Sequence, residues 1–168
     1  MIRELNGHTP RLGKNVWVAE NATVIGEVFI GDECSVWFNA VIRGDVGSIS
    51  IGNGTNIQDG AILHTTTGKS IVKLGKNVTV GHGAIVHGCT SDDNVLIGMG
   101  SIVLDNAHIC EGSIVAAGAV VKESTKIPPG TIWAGIPAKQ VKKLDSELSK
   151  KEMEKMALGY QKYKEWYR

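Results

Sequence analysis

Three of the five histidines, His64, His82 and His87, fall within 24 consecutive residues of this 168-residue chain. A neutral imidazole binds Zn²⁺ through one ring nitrogen at about 2.0–2.1 Å, and three nitrogen ligands with an open fourth position are typical of a catalytic zinc site. A structural zinc site is more often closed by a fourth cysteine or histidine. Cys89 is near in sequence, but its place in the repeat described below turns it inward. We therefore predict that the three histidines hold a catalytic metal ion.

Five polar residues precede or accompany these histidines: Arg43, Asp45, Asn56, Gln58 and Asp59. The amide of Gln58 is of a type that can orient a metal-bound water by hydrogen bonding. Arg43, Asp45 and Asp59 place charges beside apolar residues. A charge buried in an interface needs a partner, so we expect Arg43 to pair with an aspartate across a subunit interface. The alternative is that these charges are simply solvated at the surface.

An aliphatic residue recurs every six positions through most of the chain, and this repeat indicates where those side chains lie. The first run of the repeat is Leu12, Val18, Val24, Ile30, Val36 and Ile42, and it returns with interruptions as far as Ile127. A period of six fits neither an α-helix, with about 3.6 residues per turn, nor a flat strand with alternating side chains. It is typical of a parallel β-helix, in which each short strand points one aliphatic side chain into a shared core. We predict a mainly β fold of this kind.

Three strands make one triangular coil, so every residue can be assigned to one side of a prism. Sides A, B and C begin with Leu12, Val18 and Val24. On side C, the residue after the aliphatic one is Arg43, then His64, then His87 in successive coils, and neighbouring strands lie about 4.8 Å apart. His64 and His87 can therefore reach one metal ion. On side B, His82 stacks on Asp59 instead, around a corner of the coil.

The separation of His82 from the other two histidines suggests that the site is shared between chains. If a neighbouring subunit sets its side B against this side C, its His82 completes a three-histidine site, and three such contacts close into a ring. The outward apolar residues Trp37 and Phe38 also favour self-association, because exposed apolar faces are usually covered. The sequence therefore predicts a homotrimer with metal sites at subunit interfaces.

The pattern changes near the C-terminus. The repeat ends close to the breaker cluster Ile127-Pro128-Pro129-Gly130. A stripe with helical spacing then follows at Met153, Met156, Tyr160, Tyr163 and Tyr167. Ser149-Lys150-Lys151-Glu152 has the form of a capping box, which predicts the helix N-cap at Ser149. We predict a β-helix domain over residues 1–139 and, over residues 140–168, a C-terminal helix packed on the β-helix or on a neighbouring subunit.

The remaining histidines and the cysteines suggest no further site. His8 and His108 are interpreted as ordinary surface or corner residues. Cys34 and Cys89 fall two residues before an aliphatic position, where small inward residues usually lie, so we predict that both pack in the core. An odd number of widely separated cysteines fits a reducing compartment, and we expect a cytoplasmic protein.

Charge and hydropathy exclude several classes of function. The 18 basic and 17 acidic residues give a net charge of +1, which argues against nucleic-acid binding driven by bulk charge. No stretch approaches the roughly 20 apolar residues of a membrane span, and residues 1–4 do not lead into the apolar run of a signal peptide. We expect neither nucleic acid nor membrane as a partner.

The site residues resemble a known family. The motifs are Arg43-Gly44-Asp45, Asn56-Ile57-Gln58-Asp59, His64, Gly81-His82 and Val86-His87-Gly88-Cys89. This set is similar to that of the γ-class carbonic anhydrases, and the similarity extends over residues 8–168. The resemblance implies a left-handed parallel β-helix of hexapeptide repeats with a C-terminal α-helix, assembled as a trimer.

The resemblance also implies an activity, zinc-dependent reversible hydration of carbon dioxide to bicarbonate. His64 and His87 of one subunit and His82 of the next would bind zinc, or iron or cobalt in some members. Asn56 and Gln58 would lie beside the metal-bound solvent. The charged residues Arg43, Asp45 and Asp59 are similar to the family's interface and active-site ion pairs.

One departure from the family concerns proton transfer. The most active members carry a glutamate just after the Arg-x-Asp motif and another in an acidic loop after the first ligand. Here the first position is Val46, and the loop 65–70 contains no acidic residue. The chain resembles the compact branch of the family, and fast proton export is not expected from these positions.

Two other functions stay open. Hexapeptide acyltransferases share the repeat and the segment Gly135-Ile136-Pro137-Ala138-Lys139, so acyl transfer or thioester hydrolysis on coenzyme A substrates is an alternative. Such enzymes use a histidine as general base without a metal triad, and metal content therefore distinguishes the two. A catalytically silent trimeric scaffold is the third possibility, with metal but no turnover.

Overall fold

The computed structural model describes residues 1–168, apart from the side chains at positions 146 and 148. It is mainly β, with stacked parallel coils and a C-terminal helix, as the six-residue repeat predicts. The strands are β1 (Ile2–Arg3), β2 (Arg11–Leu12), β3 (Trp17–Val18), β4 (Thr23–Ile30), β5 (Ser35–Val36), β6 (Val41–Ile51), β7 (Asn56–Ile57), β8 (Ile62–His64), β9 (Val72–Leu74), β10 (Thr79–Val80), β11 (Ile85–His87), β12 (Thr90–Ser91), β13 (Leu96–Ile97), β14 (Ile102–Val103), β15 (His108–Ile109), β16 (Ile114–Val115), β17 (Val120–Val121), β18 (Lys126–Ile127), β19 (Thr131–Gly135) and β20 (Ala138–Lys143).

The strands form two sheets that correspond to the three sides of the prism. Side B is an eight-stranded sheet in the order β20-β19-β16-β13-β10-β7-β5-β3. Sides C and A belong to one twelve-stranded sheet, because the long strands β4 and β6 run from side C around the corner to side A. The ladders between coils are parallel, and β19 with β20 forms an antiparallel hairpin that closes the end of side B.

The core is the column of aliphatic side chains that the repeat predicts. Ile30, Ile51 and Ile109 on side A, Ile97 on side B and Ile42 on side C are completely buried. Burying apolar surface is the main favourable term in folding, and one inward side chain per strand fills the narrow interior. Cys34 and Cys89 are buried as predicted. The interior therefore fixes the register, which determines which outward residues stack.

The C-terminal helix covers side B. It comprises α1 (Ser146–Tyr163), followed by a 3₁₀ turn, η1 (Lys164–Tyr167), and it contacts β7 and β10. The helix begins at Ser146, so the N-cap predicted at Ser149 is wrong by about one turn. The backbone N–H of Ser149 already donates to the carbonyl of Asp145, at 2.9 Å. No helix in the described part of the chain is long and apolar enough to cross a membrane.

The predicted stripe agrees with the buried face of the helix in part. Met153 is buried and Tyr160 and Tyr167 pack on Trp37, whereas Met156 and Tyr163 are exposed on this chain.

Lys164 in η1 is completely buried, which the apolar stripe did not predict. Its Nζ donates to the carbonyl of Asn15 at 2.6 Å and to Glu33 Oε2 at 2.8 Å.

The aromatic residues of side B are covered within the chain. Trp37 is buried, with its ring 5.4 Å from that of Tyr160 and 5.5 Å from that of Tyr167. Phe38 lies 5.6 Å from the ring of Tyr167. Trp37 and Phe38 therefore do not require a partner subunit, and that part of the reasoning for self-association is wrong.

Candidate metal centre

His64 and His87 lie side by side at the ends of adjacent strands. In the parallel ladder of β8 and β11, His87 is the register partner of His64, which confirms the predicted stacking on side C. The two rings are 5.3 Å apart between centroids, and Nδ1 of His64 faces Nε2 of His87 at 3.3 Å. Two nitrogens bound tetrahedrally to zinc at about 2.0–2.1 Å are roughly 3.3–3.4 Å apart. The spacing of the pair therefore suits a tetrahedral ion.

Two carboxylates fix the proton positions on these rings. Asp45 Oδ1 lies 2.9 Å from His64 Nε2, and Asp105 Oδ2 lies 3.0 Å from His87 Nδ1. A carboxylate accepts the N–H of a neutral imidazole, which leaves the lone pair on the other nitrogen. The facing nitrogens of His64 and His87 are then both acceptors. Carboxylate–histidine pairs of this kind commonly support metal ligands, so the donor set fits a divalent transition ion.

The supporting carboxylates stay ionised near neutral pH. Burial alone would raise the pKa of Asp105, but hydrogen bonds from Ser70 and His87 outweigh that cost and lower it. Asp45 behaves alike, because hydrogen bonds from His64 and Arg43 outweigh the effect of burial and lower its pKa. An ionised carboxylate is the form that accepts the imidazole N–H.

Arg43 pairs with Asp45 inside the chain. Its guanidinium Nη1 donates to Asp45 Oδ2, while the other oxygen of Asp45 is the one that meets His64. The two residues lie two positions apart in an extended strand, which places their side chains on the same face. The pairing of Arg43 with an aspartate of a neighbouring subunit remains a prediction, since 44% of its side chain stays exposed in the single chain.

His82 occupies a different position from the other two histidines. Its Nδ1 lies 2.8 Å from Asp59 Oδ2, and 47% of its side chain is exposed. Among the described residues, the three histidines do not bring their ring nitrogens together within one chain. The ring nitrogen of His82 that is turned away from Asp59, Nε2, is free to bind elsewhere. His82 as a ligand supplied to a neighbouring subunit remains a prediction.

Gln58 and Asn56 hold the turn that carries His82. Gln58 is buried, and its Oε1 accepts a hydrogen bond from the backbone N–H of His82 at 3.2 Å. Its Nε2 donates to Asn56 Oδ1 at 3.1 Å, and Asn56 Nδ2 donates in turn to Thr79 Oγ1 at 2.9 Å. This chain of amides links β7 to the end of β10. In this structure the amides position a candidate ligand.

An apolar groove lies beside His82, between side B and α1. The cavity has a volume of about 460 Å³ and is lined in part by Gln58, His82, Met99, Tyr160 and Tyr163. Met99 is 57% exposed at its rim. Apolar walls with a few convergent polar groups are the usual form of a small-molecule site.

Sequence reasoning missed Asp105, Ser70 and Gly88. Asp105 follows His87 by one coil of 18 residues, and Ser70 donates to Asp105 from the loop before β9. Gly88 has φ +59°, and a Cβ there would come within 2.3 Å of Asp105 Oδ1. The one available signal was the 18-residue spacing, which brings a carboxylate of the next coil beside a predicted ligand. Cys89 is completely buried in the core, as its inward position predicts, and burial raises the pKa of its thiol to about 12.

Comparison with known proteins gives two kinds of relative. Residues 92–123 match the family model of the bacterial transferase hexapeptide with six repeats. The chain is 44% identical to a carbonic anhydrase of Geobacillus kaustophilus over 100% of its own length and 91% of that protein. It is 47% identical to the mitochondrial gamma carbonic anhydrase 2 of Arabidopsis thaliana over 83% of its length, but it spans only 52% of that relative.

A solved structure carries a different description. The crystal structure of a putative acetyltransferase from Bacillus cereus superimposes with a TM-score of 0.91 at 39% identity. The alignment covers 99% of this chain and 95% of that one.

Proposed function

This chain belongs to the γ-class carbonic anhydrase family, and we propose that it catalyses the zinc-dependent, reversible hydration of carbon dioxide to bicarbonate. The observation that carries the proposal is the His64–His87 pair, whose facing nitrogens lie 3.3 Å apart with a carboxylate behind each ring. His82 of a neighbouring subunit would supply the third nitrogen in a homotrimer. The protein would act in the cytoplasm.

The metal would be bound by three neutral imidazoles, a donor set suited to zinc and also accepted by iron or cobalt. Zinc held by three nitrogens supplies the Lewis acidity that makes water a nucleophile near neutral pH. Asp45 and Asp105 keep the rings of His64 and His87 in the tautomers whose lone pairs face each other. Asp59 accepts the Nδ1 proton of His82, which leaves the lone pair on Nε2.

The remaining residues of the proposed site position ligands and shape the substrate groove. Gln58 and Asn56 fix the backbone at His82, as described above, and the second N–H of the Gln58 amide is available to orient a water. The apolar groove beside His82 suits carbon dioxide, a small molecule without charge. Arg43 steadies Asp45 through their ion pair.

Few side chains near the proposed site can accept the proton that each turnover releases. Val46 is 40% exposed at the position where active relatives carry a glutamate, and a methyl-bearing side chain cannot accept a proton. The loop 65–70 contains no acidic residue, and its Lys69 forms an ion pair with Glu123. Turnover should therefore depend on buffer as the proton acceptor, and the rate should rise with buffer concentration.

Acyl transfer is the second candidate, because the Bacillus cereus protein is described as a putative acetyltransferase. A general base for that reaction must abstract a proton and therefore needs a free lone pair without a metal. A metal-free protein that turned over acyl-coenzyme A substrates would favour this function over hydration.

The direct test measures carbon dioxide hydration by protein that holds one zinc ion per chain more than His64→Ala protein loaded in the same way. We expect a rate above the buffer background that falls to the background in His64→Ala. A matched control, His8→Ala, removes a histidine that is distant in sequence and should retain the wild-type rate. A fully zinc-loaded wild type with no rate above background, at any pH or buffer concentration, would contradict hydration as the function.

A further inference from the structure

A second cluster of metal-ligating side chains lies on side A. Asp92 directly follows β12, and Cys110 directly follows β15, while His108 is the first residue of β15. The register pairs Ser91 with Ile109, so Asp92 and Cys110 are stacked on consecutive coils. The carboxylate, imidazole and thiol ligand atoms of the three residues all lie within 4.8 Å of one another. His64 and His87 lie on side C and His82 on side B, so none of the three belongs to this cluster.

Asp92 and Cys110 occupy a position of side A that is a glycine in earlier coils. In four earlier coils the same position of side A is a glycine: Gly13, Gly31, Gly52 and Gly75. A Cβ at any of these glycines would come within 2.5 Å of an atom of the next coil. Asp92 and Cys110 are therefore the first residues at this position of side A whose side chains can bind a metal ion, and they lie on two consecutive coils.

The hydrogen bonding of His108 directs one nitrogen towards Asp92. Thr90 Oγ1 lies 2.8 Å from His108 Nδ1, and Asp92 Oδ1 lies 3.3 Å from His108 Nε2. Without an ion, Nε2–H donates to the Asp92 carboxylate while Nδ1 accepts from the Thr90 hydroxyl. The other neutral tautomer, in which Nδ1–H donates to Thr90 Oγ1, leaves the Nε2 lone pair for a metal ion beside Asp92. About 3.3 Å is also the separation of two tetrahedral ligands of zinc.

Cys110 adds the third donor. Its side chain is buried, and among the described residues its thiol has no disulfide partner. Burial and the neighbouring Asp92 carboxylate raise the pKa of the Cys110 thiol, so the thiolate is disfavoured without a cation. A coordinating metal reverses this balance and deprotonates the thiol. The interpretation of His108 as an ordinary surface residue does not explain why a thiol, an imidazole and a carboxylate converge here.

We propose that Asp92, His108 and Cys110 form a binding site for a divalent transition ion within one chain. The mixed nitrogen, oxygen and sulfur donors favour zinc or a similar borderline ion over magnesium or calcium, which prefer oxygen ligands. Asp92, whose side chain is 46% exposed, also lines a cavity of about 430 Å³ with Lys73, Asp93 and Glu111, so water can reach the carboxylate side of the cluster. The ion would join two consecutive coils on side A, and the proposal is independent of the activity at the histidine triad.

Cobalt is the probe that separates this site from the other one. Co²⁺ bound by a thiolate absorbs in the near ultraviolet through sulfur-to-metal charge transfer, whereas a site of three histidines contains no sulfur. The experiment titrates metal-free His82→Ala protein with Co²⁺ and records the near-ultraviolet spectrum. We expect a charge-transfer band that saturates at one Co²⁺ per chain. The band should be lost in Cys110→Ser, and His108→Ala should weaken Co²⁺ binding at least tenfold.

Two controls make the result decisive. Cys89→Ala replaces another buried thiol and His8→Ala another surface histidine, and both should keep the band. A second measurement covers variants that fold poorly: Zn²⁺ should raise the Tm of His82→Ala protein, and this rise should be absent in His82→Ala/Cys110→Ser. Absence of a near-ultraviolet band at saturating Co²⁺, or a band that persists in Cys110→Ser, would overturn the proposal.

Discussion

Within a single chain, the two halves of the candidate metal centre, His64 and His87 on side C and His82 on side B, are ordered to different degrees. His64 and His87 on side C are partly buried, lie 3.3 Å apart between facing nitrogens, and are supported from behind by Asp45 and Asp105. His82 on side B is 47% exposed and contacts Asp59, which is itself 40% exposed. Side C therefore presents two aligned ligands, whereas side B presents one ligand at the edge of a groove.

This difference follows from how stacked coils place side chains. A parallel ladder brings the same position of successive coils together at about 4.8 Å, so two histidines one coil apart meet without any loop. A third ligand on another side of the prism cannot meet them in the same chain. A symmetric oligomer resolves this geometry, because each chain then offers one kind of surface to a neighbour and receives the other.

The largest effect should come from removing a ligand in either half. We expect His64→Ala and His82→Ala each to weaken zinc binding by more than the roughly 10–100-fold that loss of a supporting contact costs. The measurement is zinc affinity by competition with a chromophoric chelator, on chains that also carry Cys110→Ser so that the proposed site on side A does not contribute. Equal losses would mean that the exposed half is as necessary as the buried half.

Mixing the two variants sharpens the comparison. An oligomer containing both His64→Ala and His82→Ala chains regains metal at the interface that joins an intact His64–His87 pair to an intact His82. If each site lay within one chain, no chain in the mixture would have all three ligands. All chains in this experiment also carry Cys110→Ser, which removes the proposed site on side A. Mixed oligomers of these chains that are verified by mass spectrometry and remain metal-free would exclude a site shared between subunits.

The next largest effect should come from Asp105, which supports the buried half. Asp105→Asn keeps an acceptor for His87 Nδ1 but removes the charge, and we expect zinc affinity to fall by about 10–100-fold. Asp59→Asn is the matched change in the exposed half and should cost less, because water can replace the lost contact. Circular dichroism checks that both variants fold. A larger loss of zinc affinity in Asp59→Asn than in Asp105→Asn would mean that side B, and not side C, carries the better-ordered ligand.

The fold was predictable because one aliphatic side chain per strand is a strong and repeated signal. The same register predicted that His64 stacks on His87. The burial of Lys164 in η1 was not predictable, since its partners Asn15 and Glu33 lie far away in sequence. A stripe read from apolar spacing cannot anticipate a buried ammonium.

The supporting residues of the site were harder to predict than the ligands. Asp105 belongs to a later coil than either histidine of side C, and an aspartate near a corner is common in such folds. The contact of Arg43 with Asp45 inside one strand was not predicted either, although side chains two positions apart share a face. Both contacts depend on side-chain geometry, whereas the repeat specifies only the backbone. A pair between Arg43 and an aspartate of a neighbouring chain remains a prediction.

Gln58 should have a moderate effect that is confined to the exposed half. Gln58→Ala removes the acceptor for the backbone N–H of His82, a contact worth about 1 kcal/mol, or roughly fivefold in zinc affinity. Gln58→Glu keeps that acceptor but loses the donor to Asn56 Oδ1. We expect the Glu variant to retain more zinc affinity than the Ala variant. If both variants bind zinc like the wild type but hydrate carbon dioxide more slowly, Gln58 acts on the reacting water instead.

The smallest effect should come from Glu33, which anchors the helix over side B. The hydrogen bond from Lys164 outweighs burial and lowers the pKa of Glu33. The stabilisation is therefore present above the ordinary carboxyl pKa of about 4.3 and is lost as the pH falls through the lower folded value. Glu33 is 44% exposed, so Glu33→Gln should cost only about 0.5–1 kcal/mol at pH 7 in urea unfolding.

The pH dependence distinguishes this anchor from a general effect of surface charge. The stability gap between wild type and Glu33→Gln should be constant between pH 6 and 8 and should shrink below about pH 4. Glu123→Gln is the control, because its pair with Lys69 has both side chains exposed, and it should change stability less. Zinc binding by the His64–His87 half should be unchanged in Glu33→Gln, since the helix lies over side B. A gap that widens as the pH falls would contradict a lowered pKa for Glu33 in the folded protein.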